Sequence, residues 1–449
     1  MPKKKAAFDS LFVPEEEQPY PIPENWCWTY LSCVAQWGSG GTPSRKILAY
    51  YDGEISWIKT GELNDELIYE SEEHISSEAI ANSSAKLFPI HTVIIAMYGA
   101  TIGKVGILEI EAATNQACAC AVSSTAIDYK YLFYYAKSQK EAFIKKGKGG
   151  AQPNISQEII KTHEIPLPPL PEQHRIVNCI ESLFAKLDEA KEKAQAVVDG
   201  FELRKSAILH KAFTGKLTER WRKEHGIGME SWVQAVLMDV LKEKPRNGYS
   251  PKPVNYVTPY KSMTLSATTS GVFKDEYFKY VDEMIPEDSY LWLKPGDILI
   301  QRANSLDKVG TSAVYTGQEH EFIYPDLMMK LQVVETTSSQ FVAYSLKRDD
   351  SLAYFRANAT GTAGNMPKIN QKVVSQTPLN LPTFDEQIEI VRILESLFVK
   401  VQQSKEAAEA VLSQIDTMKK AILACAFRGE LGTNAPTEES AVELIKAVL

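Results

Sequence analysis

Two stretches of the chain carry apolar residues at alternating steps of four and three. In the first, Ile176, Ile180, Leu183, Leu187, Ala190, Ala194, Val197, Phe201 and Ile208 keep this rhythm, with Arg204 interrupting. In the second, Ile390, Leu394, Leu397, Val401, Ala408, Val411, Ile415, Met418 and Ile422 keep it, with Ser404 interrupting. Sustained a/d heptads predict coiled-coil helices. Each spans about 40 residues, a rod of roughly 60 Å at 1.5 Å per residue. Pro171 and Glu172 open the first helix, and Asp385 and Glu386 open the second. A first turn needs no N–H partner and its dipole favours negative charge. Gly215 and Gly429 follow Phe213 and Phe427 and suit the left-handed position that ends a helix.

The two stretches belong to a duplication. Residues 150–220 recur at residues 364–434: Glu172-Gln173 meets Glu386-Gln387, Glu181-Ser182-Leu183-Phe184 meets Glu395-Ser396-Leu397-Phe398, and Ala207-Ile208-Leu209 meets Ala421-Ile422-Leu423. Such a period is too long for a solenoid unit. It implies a duplicated module with pseudo-two-fold symmetry, a symmetry that duplex DNA shares. The expected organisation is a first globular domain at 1–165, a helix at 166–220, a second domain at 221–379, a second helix at 380–431 and a tail at 432–449. Each helix must bury its stripe, and the antiparallel pairing of the two satisfies both, because domain termini usually lie close together. Ile176 then faces Ile422, Leu183 faces Ile415 and Leu187 faces Val411, with Ala190, Ala194, Ser404 and Ala408 at the middle.

The globular domains read as mixed α/β. The β-rich runs Thr92–Met97 and Asp297–Gln301 are each followed by a glycine-bearing turn, Gly103 to Gly106 and Lys308 to Gly310. Amphipathic helices are expected at Tyr129–Lys140 and Ser339–Arg348. Glu439–Leu449 and Glu230–Lys244 are apolar on one face and are expected to dock on the scaffold or a partner. The domains diverge more than the helices do, as expected of modules that read two different things.

Composition narrows the class. The chain of 449 residues is 44% hydrophobic and 24% charged, ordinary for a globular protein. No apolar run approaches the ~20 residues of a membrane span, and Lys3-Lys4-Lys5 precedes no long apolar segment, so a cytoplasmic protein is expected. The six cysteines form no CxxC pair and the seven histidines are scattered, which argues for reduced thiols and no metal site. A net charge of −8 weighs against nucleic acid unless basic residues cluster on one face or a partner supplies phosphate contacts.

Several motifs then carry a resemblance. Pro23-Glu24-Asn25-Trp26 opens the first domain. Gly40-Gly41-Thr42-Pro43-Ser44 precedes Ile55-Ser56-Trp57-Ile58. Pro168-Pro169-Leu170-Pro171-Glu172-Gln173 opens the helix, and Gly215-Lys216-Leu217-Thr218-Glu219-Arg220-Trp221-Arg222 closes it. In this order the chain resembles the specificity subunit of type I restriction-modification systems over essentially its whole length. The resemblance implies two target recognition domains reading a bipartite sequence in double-stranded DNA. It also implies assembly with two modification subunits that bind S-adenosylmethionine and methylate adenine N6. Restriction subunits using ATP and Mg²⁺ for translocation and cleavage would join them. The chain itself shows no [DNS]-P-P-[YFW] motif, no glycine-rich cofactor loop and no phosphate loop, so no catalytic residue and no bound cofactor are expected in it. The antiparallel rods then act as a ruler, since major-groove faces repeat about every 34–36 Å.

For DNA contact the first domain offers Thr42, Ser44, Arg45, Lys59, Tyr98, Lys104 and the Lys145-Lys146-Gly147-Lys148-Gly149-Gly150 loop. The second offers Lys261, Arg302, Asn304, Lys308, Asn365 and Lys368. Arg and Lys can read guanine, Asn can read adenine, and hydroxyl or backbone donors hold phosphate. Trp37, Trp57 and Trp292 are expected in cores, and Glu172 and Glu386 at helix starts without acid–base work. The alternative reading is a coiled-coil adaptor joining two protein-binding modules, which the acidic charge would suit.

Overall fold

The computed structural model describes residues 8–147, 154–361 and 366–448. The chain folds as two compact units, Met1–Ala194 with Ala410–Leu449, and Gln195–Glu409. Five helices organise them: α1 (Tyr129–Ser138), α2 (Leu170–Asp199), α3 (Phe201–Phe213), α4 (Ser339–Leu346) and α5 (Phe384–Phe427). Both α2 and α5 give residues to each unit. Among the described residues, no helix is long and apolar enough to cross a membrane.

In the first unit a five-stranded sheet has the order Ala35–Ser39, Cys118–Ser123, Val93–Ala96, Val105–Leu108, Glu66–Ile68. Its pairs are antiparallel except the last. Val93, Ile94, Ile95 and Ala96 are all fully buried, as a central strand covered on both faces requires. A second sheet holds Ile55–Ile58 between His74–Ile75 and Ala112–Thr114. A two-stranded ribbon pairs Cys27–Tyr30 with Glu164–Leu167 and leads into α2.

The second unit repeats this plan. Ile298–Gln301 lies between Met328–Leu331 and Ser312–Val314, a second four-stranded sheet stands beside it, and Val233–Val236 pairs with Pro378–Leu381 just before α5. Mixed α/β domains carried on paired helices are therefore present twice. Trp57 and Trp292 are buried, and Trp37 packs against the core with its indole N–H on the Leu31 carbonyl at 2.8 Å. All six cysteines are free thiols.

The helices pair antiparallel within each unit. In the first, Lys419 reaches back to Asp188 at 2.6 Å and lies over the Phe184 ring, while Ile176 and Ile422 share one core. In the second, Lys405 lies over Phe201, and Leu209, Ala212 and Phe213 share a core with Ile390 and Leu394. Gly215 and Gly429 take φ of +73° and +74°, the left-handed caps the pattern demands.

Three expectations change. The first rod is not continuous: α2 ends at Asp199 and α3 begins at Phe201. Arg204, the residue that breaks the heptad, folds back at the joint and donates to the carbonyls of Val197 at 2.7 Å and Ala196 at 3.4 Å. A cation capping a helix C-terminus stabilises that interruption. Second, Ser404, Val411 and Met418 are exposed, whereas Leu209, Leu423, Ala426 and Phe427 are buried. The helices use a stripe wider than strict a/d because they cover a domain as well as each other. Third, Glu230–Lys244 is no counterpart of the tail. It forms the ribbon strand Val233–Val236 and the 3₁₀ turn Leu237–Val240, where the first unit has the strand Cys27–Tyr30 and the short α-helix Leu31–Val34. Both segments dock: Leu237, Val240 and Leu241 enter the second core, Ala441 and Ile445 enter the first, and the Ala441 N–H bonds the Asn25 carbonyl at 2.9 Å.

Candidate nucleic-acid interface

Each globular domain is seated on its helix pair by one buried joint. Glu172 and Glu386 are fully buried. Glu172 accepts from the Trp26 indole N–H at 2.8 Å, from Asn434 Nδ2 at 2.9 Å and from Thr433 Oγ1 at 3.3 Å. Glu386 accepts from the Trp232 indole N–H at 3.1 Å, from Thr218 Oγ1 at 2.6 Å and from Arg222 Nη1 at 2.5 Å. Burial raises the Glu172 pKa above its ordinary value, against its hydrogen bonds.

The neighbouring glutamines do matching work. Gln173 accepts from the Asp128 N–H at 2.8 Å and donates to the Pro168 carbonyl at 3.0 Å. Gln387 accepts from the Ser338 N–H at 2.9 Å and donates to the Pro382 carbonyl at 3.1 Å. Asp128 and Ser338 are the N-caps of α1 and α4. The repeated Glu-Gln therefore locks the helix that backs each central sheet. Both carboxylates serve structure, and their partners lie far off in sequence.

Beyond the central strand the two domains diverge. In the first, Ala96 and Gly103 close a turn (Gly103 N–H to Ala96 carbonyl, 3.0 Å), and Tyr98 pairs with Asn154. Gly103 has φ +74°, and a Cβ there would lie 3.0 Å from the Lys140 Cα. In the second, Gln301 and Gly310 close the equivalent turn at 2.9 Å around a longer loop, and Ala303 pairs with Lys368. The main chains correspond closely: Ile155 N–H bonds the Met97 carbonyl at 2.9 Å, and Ile369 N–H bonds the Arg302 carbonyl at 2.8 Å.

The candidate DNA residues fall into two groups. Several are already neutralised. Arg45 pairs with Glu73 at 2.5 Å and stacks over Tyr51 and Trp57, and Lys59 meets Glu73 at 2.9 Å and Glu72 at 3.2 Å. The hydrogen bonds from Arg45 and then Lys59 hold the Glu73 carboxyl down to about 2. Lys261 pairs with Glu321 at 3.0 Å between the Phe278 and Phe322 rings. Lys146 donates to His163 at 2.8 Å and reaches Glu164 at 3.4 Å. With Lys145 it ends the helix Lys140–Lys146 rather than starting a loop. Thr42 donates to Gln116, and Lys308 stands 3.8 Å from Asp307. Lys148, Gly149, Gly150 and Asn365 lie outside the described residues.

The second group is less committed. Tyr98 is 44% exposed, Ser44, Lys145 and Lys368 are exposed, and Lys104 is half-buried. Arg302 lies at the exit of the central strand near Lys368, whereas the amide of the adjoining Asn304 is engaged by Gln301 and the Ser305 N–H. Sequence reasoning missed Gln301, which is fully buried and donates to the Leu265 carbonyl, Thr268 and Thr269 at 2.8–3.0 Å. The available signal was one polar side chain ending the apolar run Ile298–Ile300.

Comparison with known proteins fits this construction. Residues 23–198 match the type I restriction modification DNA specificity domain. The chain is 24% identical over 424 residues to the type I restriction enzyme EcoKI specificity subunit of Escherichia coli K12, covering 91% of this chain and 90% of that protein. It is 31% identical over 187 residues to the MjaIX specificity subunit of Methanocaldococcus jannaschii, covering 40% and 43%. In fold it is similar to the HsdS subunit of Thermoanaerobacter tengcongensis, with a TM-score of 0.67, 19% identity, and coverage of 92% of this chain and 100% of that one. In its doubled domain-on-helix construction, and in the match over residues 23–198, the chain is similar to the DNA specificity subunits of type I restriction-modification systems.

Proposed function

We propose that this chain is a DNA specificity subunit that reads a bipartite sequence in double-stranded DNA, one part through each recognition domain, and carries out no chemistry itself. The observation behind this reading is the doubled joint. The same Trp-Glu-Gln cluster seats a domain in each unit, while the loops beyond the central strands differ in length and charge. A common mount with dissimilar faces suits two dissimilar half-sites. In the cytoplasm the chain would recruit two modification subunits, which bind S-adenosylmethionine and extrude the target adenine. Restriction subunits would supply the ATP- and Mg²⁺-dependent steps. Neutralisation of Arg45, Lys59, Lys261 and Lys146 by neighbouring groups supports a division in which partner subunits supply much of the phosphate contact.

The test is the N6-methyladenine pattern of a host genome, read with and without this chain. A two-part methylated motif that vanishes on deletion is the expected result. An unchanged pattern, with modification subunits still expressed, rejects the reading.

A further inference from the structure

Resting on that reading, we propose that Arg302 specifies a guanine in the half-site of the second domain. Its main chain is fixed on both sides, with its N–H on the Leu327 carbonyl at 2.9 Å and its carbonyl accepting from Ile369 at 2.8 Å. The guanidinium makes one hydrogen bond, from Nη1 to the Asp326 carbonyl at 3.3 Å, and its Nε is buried with no partner. Elsewhere in the second unit, Arg246, Lys261, Lys294, Lys330 and Arg348 each sit within 4.0 Å of a carboxylate. Arg302 has no carboxylate partner among the described residues. It is thus oriented by a carbonyl, with its charge unspent and most of its five donors available.

The loop around it is stiffened from below. Gln301 anchors in the core and accepts from Asn304 Nδ2 at 2.6 Å, and Asn304 Oδ1 accepts from the Ser305 N–H at 2.7 Å. Both ends of the Asn304 amide are engaged inside the protein, so Asn304 acts as a positioning residue for Arg302. Lys368, exposed and paired through its main chain with Ala303, supplies an ammonium for the adjoining phosphate. Arginine matters here because its planar fork satisfies guanine O6 and N7 together, which a lysine point charge does not reproduce. The first domain has Met97, only 3% exposed, at the corresponding main-chain position, so its half-site is read by other means.

The experiment uses the complete complex with its modification subunits, carrying Arg302→Gln or Arg302→Lys, and reads the methylated motif genome-wide. One G·C position in one half-site should relax, with methylation at A·T substitutions there rising about tenfold to a hundredfold. The other half-site and the spacer should stay as they were. If a variant loses methylation altogether, duplexes carrying 7-deazaguanine at each guanine in turn decide the matter. Loss of N7 at one position should weaken wild-type binding about tenfold and leave Arg302→Gln binding unchanged. Variants that keep the parental motif without relaxation, or equal sensitivity to every 7-deazaguanine, overturn the assignment of Arg302. A wild-type complex with no two-part motif overturns the proposed function instead, so the two failures are separable.

Discussion

Trp26 donates its indole N–H to the buried carboxylate of Glu172 at 2.8 Å, tying the ribbon that opens the first domain to the first turn of α2. The second unit makes the same bond between Trp232 and Glu386, then departs from the pattern. There Arg222 adds a full charge, with side chains 6% and 0% exposed. In the first unit the matching space holds the neutral donors Thr433 and Asn434. The nearby Arg175 is instead engaged bidentately by Glu438 at 2.8 Å. One joint is built with a buried ion pair, the other with hydrogen bonds alone.

That difference predicts unequal costs. Glu386→Gln leaves the Arg222 charge buried without its counterion, which costs about 3–5 kcal/mol. Glu172→Gln keeps an acceptor for Trp26 and removes a charge that burial already disfavours, so its cost should stay near ~1 kcal/mol. Hydrogen exchange resolved by unit is the suitable measurement, because a two-unit chain need not unfold in one step. Protection should collapse in the ribbon Val233–Val236 for Glu386→Gln and change little in Cys27–Tyr30 for Glu172→Gln. Equal losses would show that Arg222 contributes no more than a neutral donor.

Glu73 gives a pH dependence whose sign is fixed by its hydrogen bonds from Arg45 and Lys59. Its folded value is held at about 2, below its ordinary 4.5. Stability from this cluster is therefore complete above about pH 4.5 and is lost as the pH falls towards 2. Glu73→Gln removes the dependence. The gap in melting temperature between wild type and variant should be constant at neutral pH and close on acidification. Trp57, beneath Arg45, provides a fluorescence readout of the same region. A gap that persists undiminished at the lowest pH would place the stabilisation elsewhere.

The same pairings predict which cations matter to DNA. Lys368 has its charge to spare, so Lys368→Ala in the assembled complex should reduce the slope of log K against log salt by roughly 0.9. Arg45→Ala should leave that slope nearly unchanged, because its charge is spent on Glu73, and should instead loosen the Tyr51 and Trp57 packing. Binding titrations across a salt series separate these outcomes. A larger slope change for Arg45→Ala than for Lys368→Ala would reverse the ranking.

The sequence made the helices legible because their signal is local: heptad spacing, an acidic first turn and a capping glycine all lie within a few turns. Gly200 and Arg204 show the limit of such reading. Arg204 was visible as a flaw in the stripe, but its return to the Val197 carbonyl depends on a break the heptads do not encode. The ion pairs of the charged candidates were hidden for a different reason. Arg45 and Lys59 look like free cations until the pairing of Ile55–Ile58 with His74–Ile75 brings Glu73 beside them, and strand register is a long-range property. Arg302 reads as one arginine among several. Its fixed main chain and its single carbonyl partner, both made across the fold, are what distinguish it.

A last prediction concerns the helices as spacers. α5 runs unbroken for 44 residues, and its pairing with α2 and α3 is antiparallel within each unit. If this scaffold sets the distance between two half-sites, lengthening both partners by one heptad should lengthen the untouched DNA between them and leave the half-sites alone. A heptad preserves the phase of the apolar stripe and adds about 10 Å at 1.5 Å per residue, roughly three base pairs at 3.4 Å each. Insertions after Lys191 and after Glu406 avoid both Glu-Gln joints and the Gly200 break. The methylated motif should return with the same two parts and a longer gap. A four-residue insertion in α5 alone, by contrast, should misalign the stripes and abolish methylation. Recovery of the parental gap from the double-heptad variant, with full activity, would mean that the spacing is imposed by the modification subunits and not by this chain.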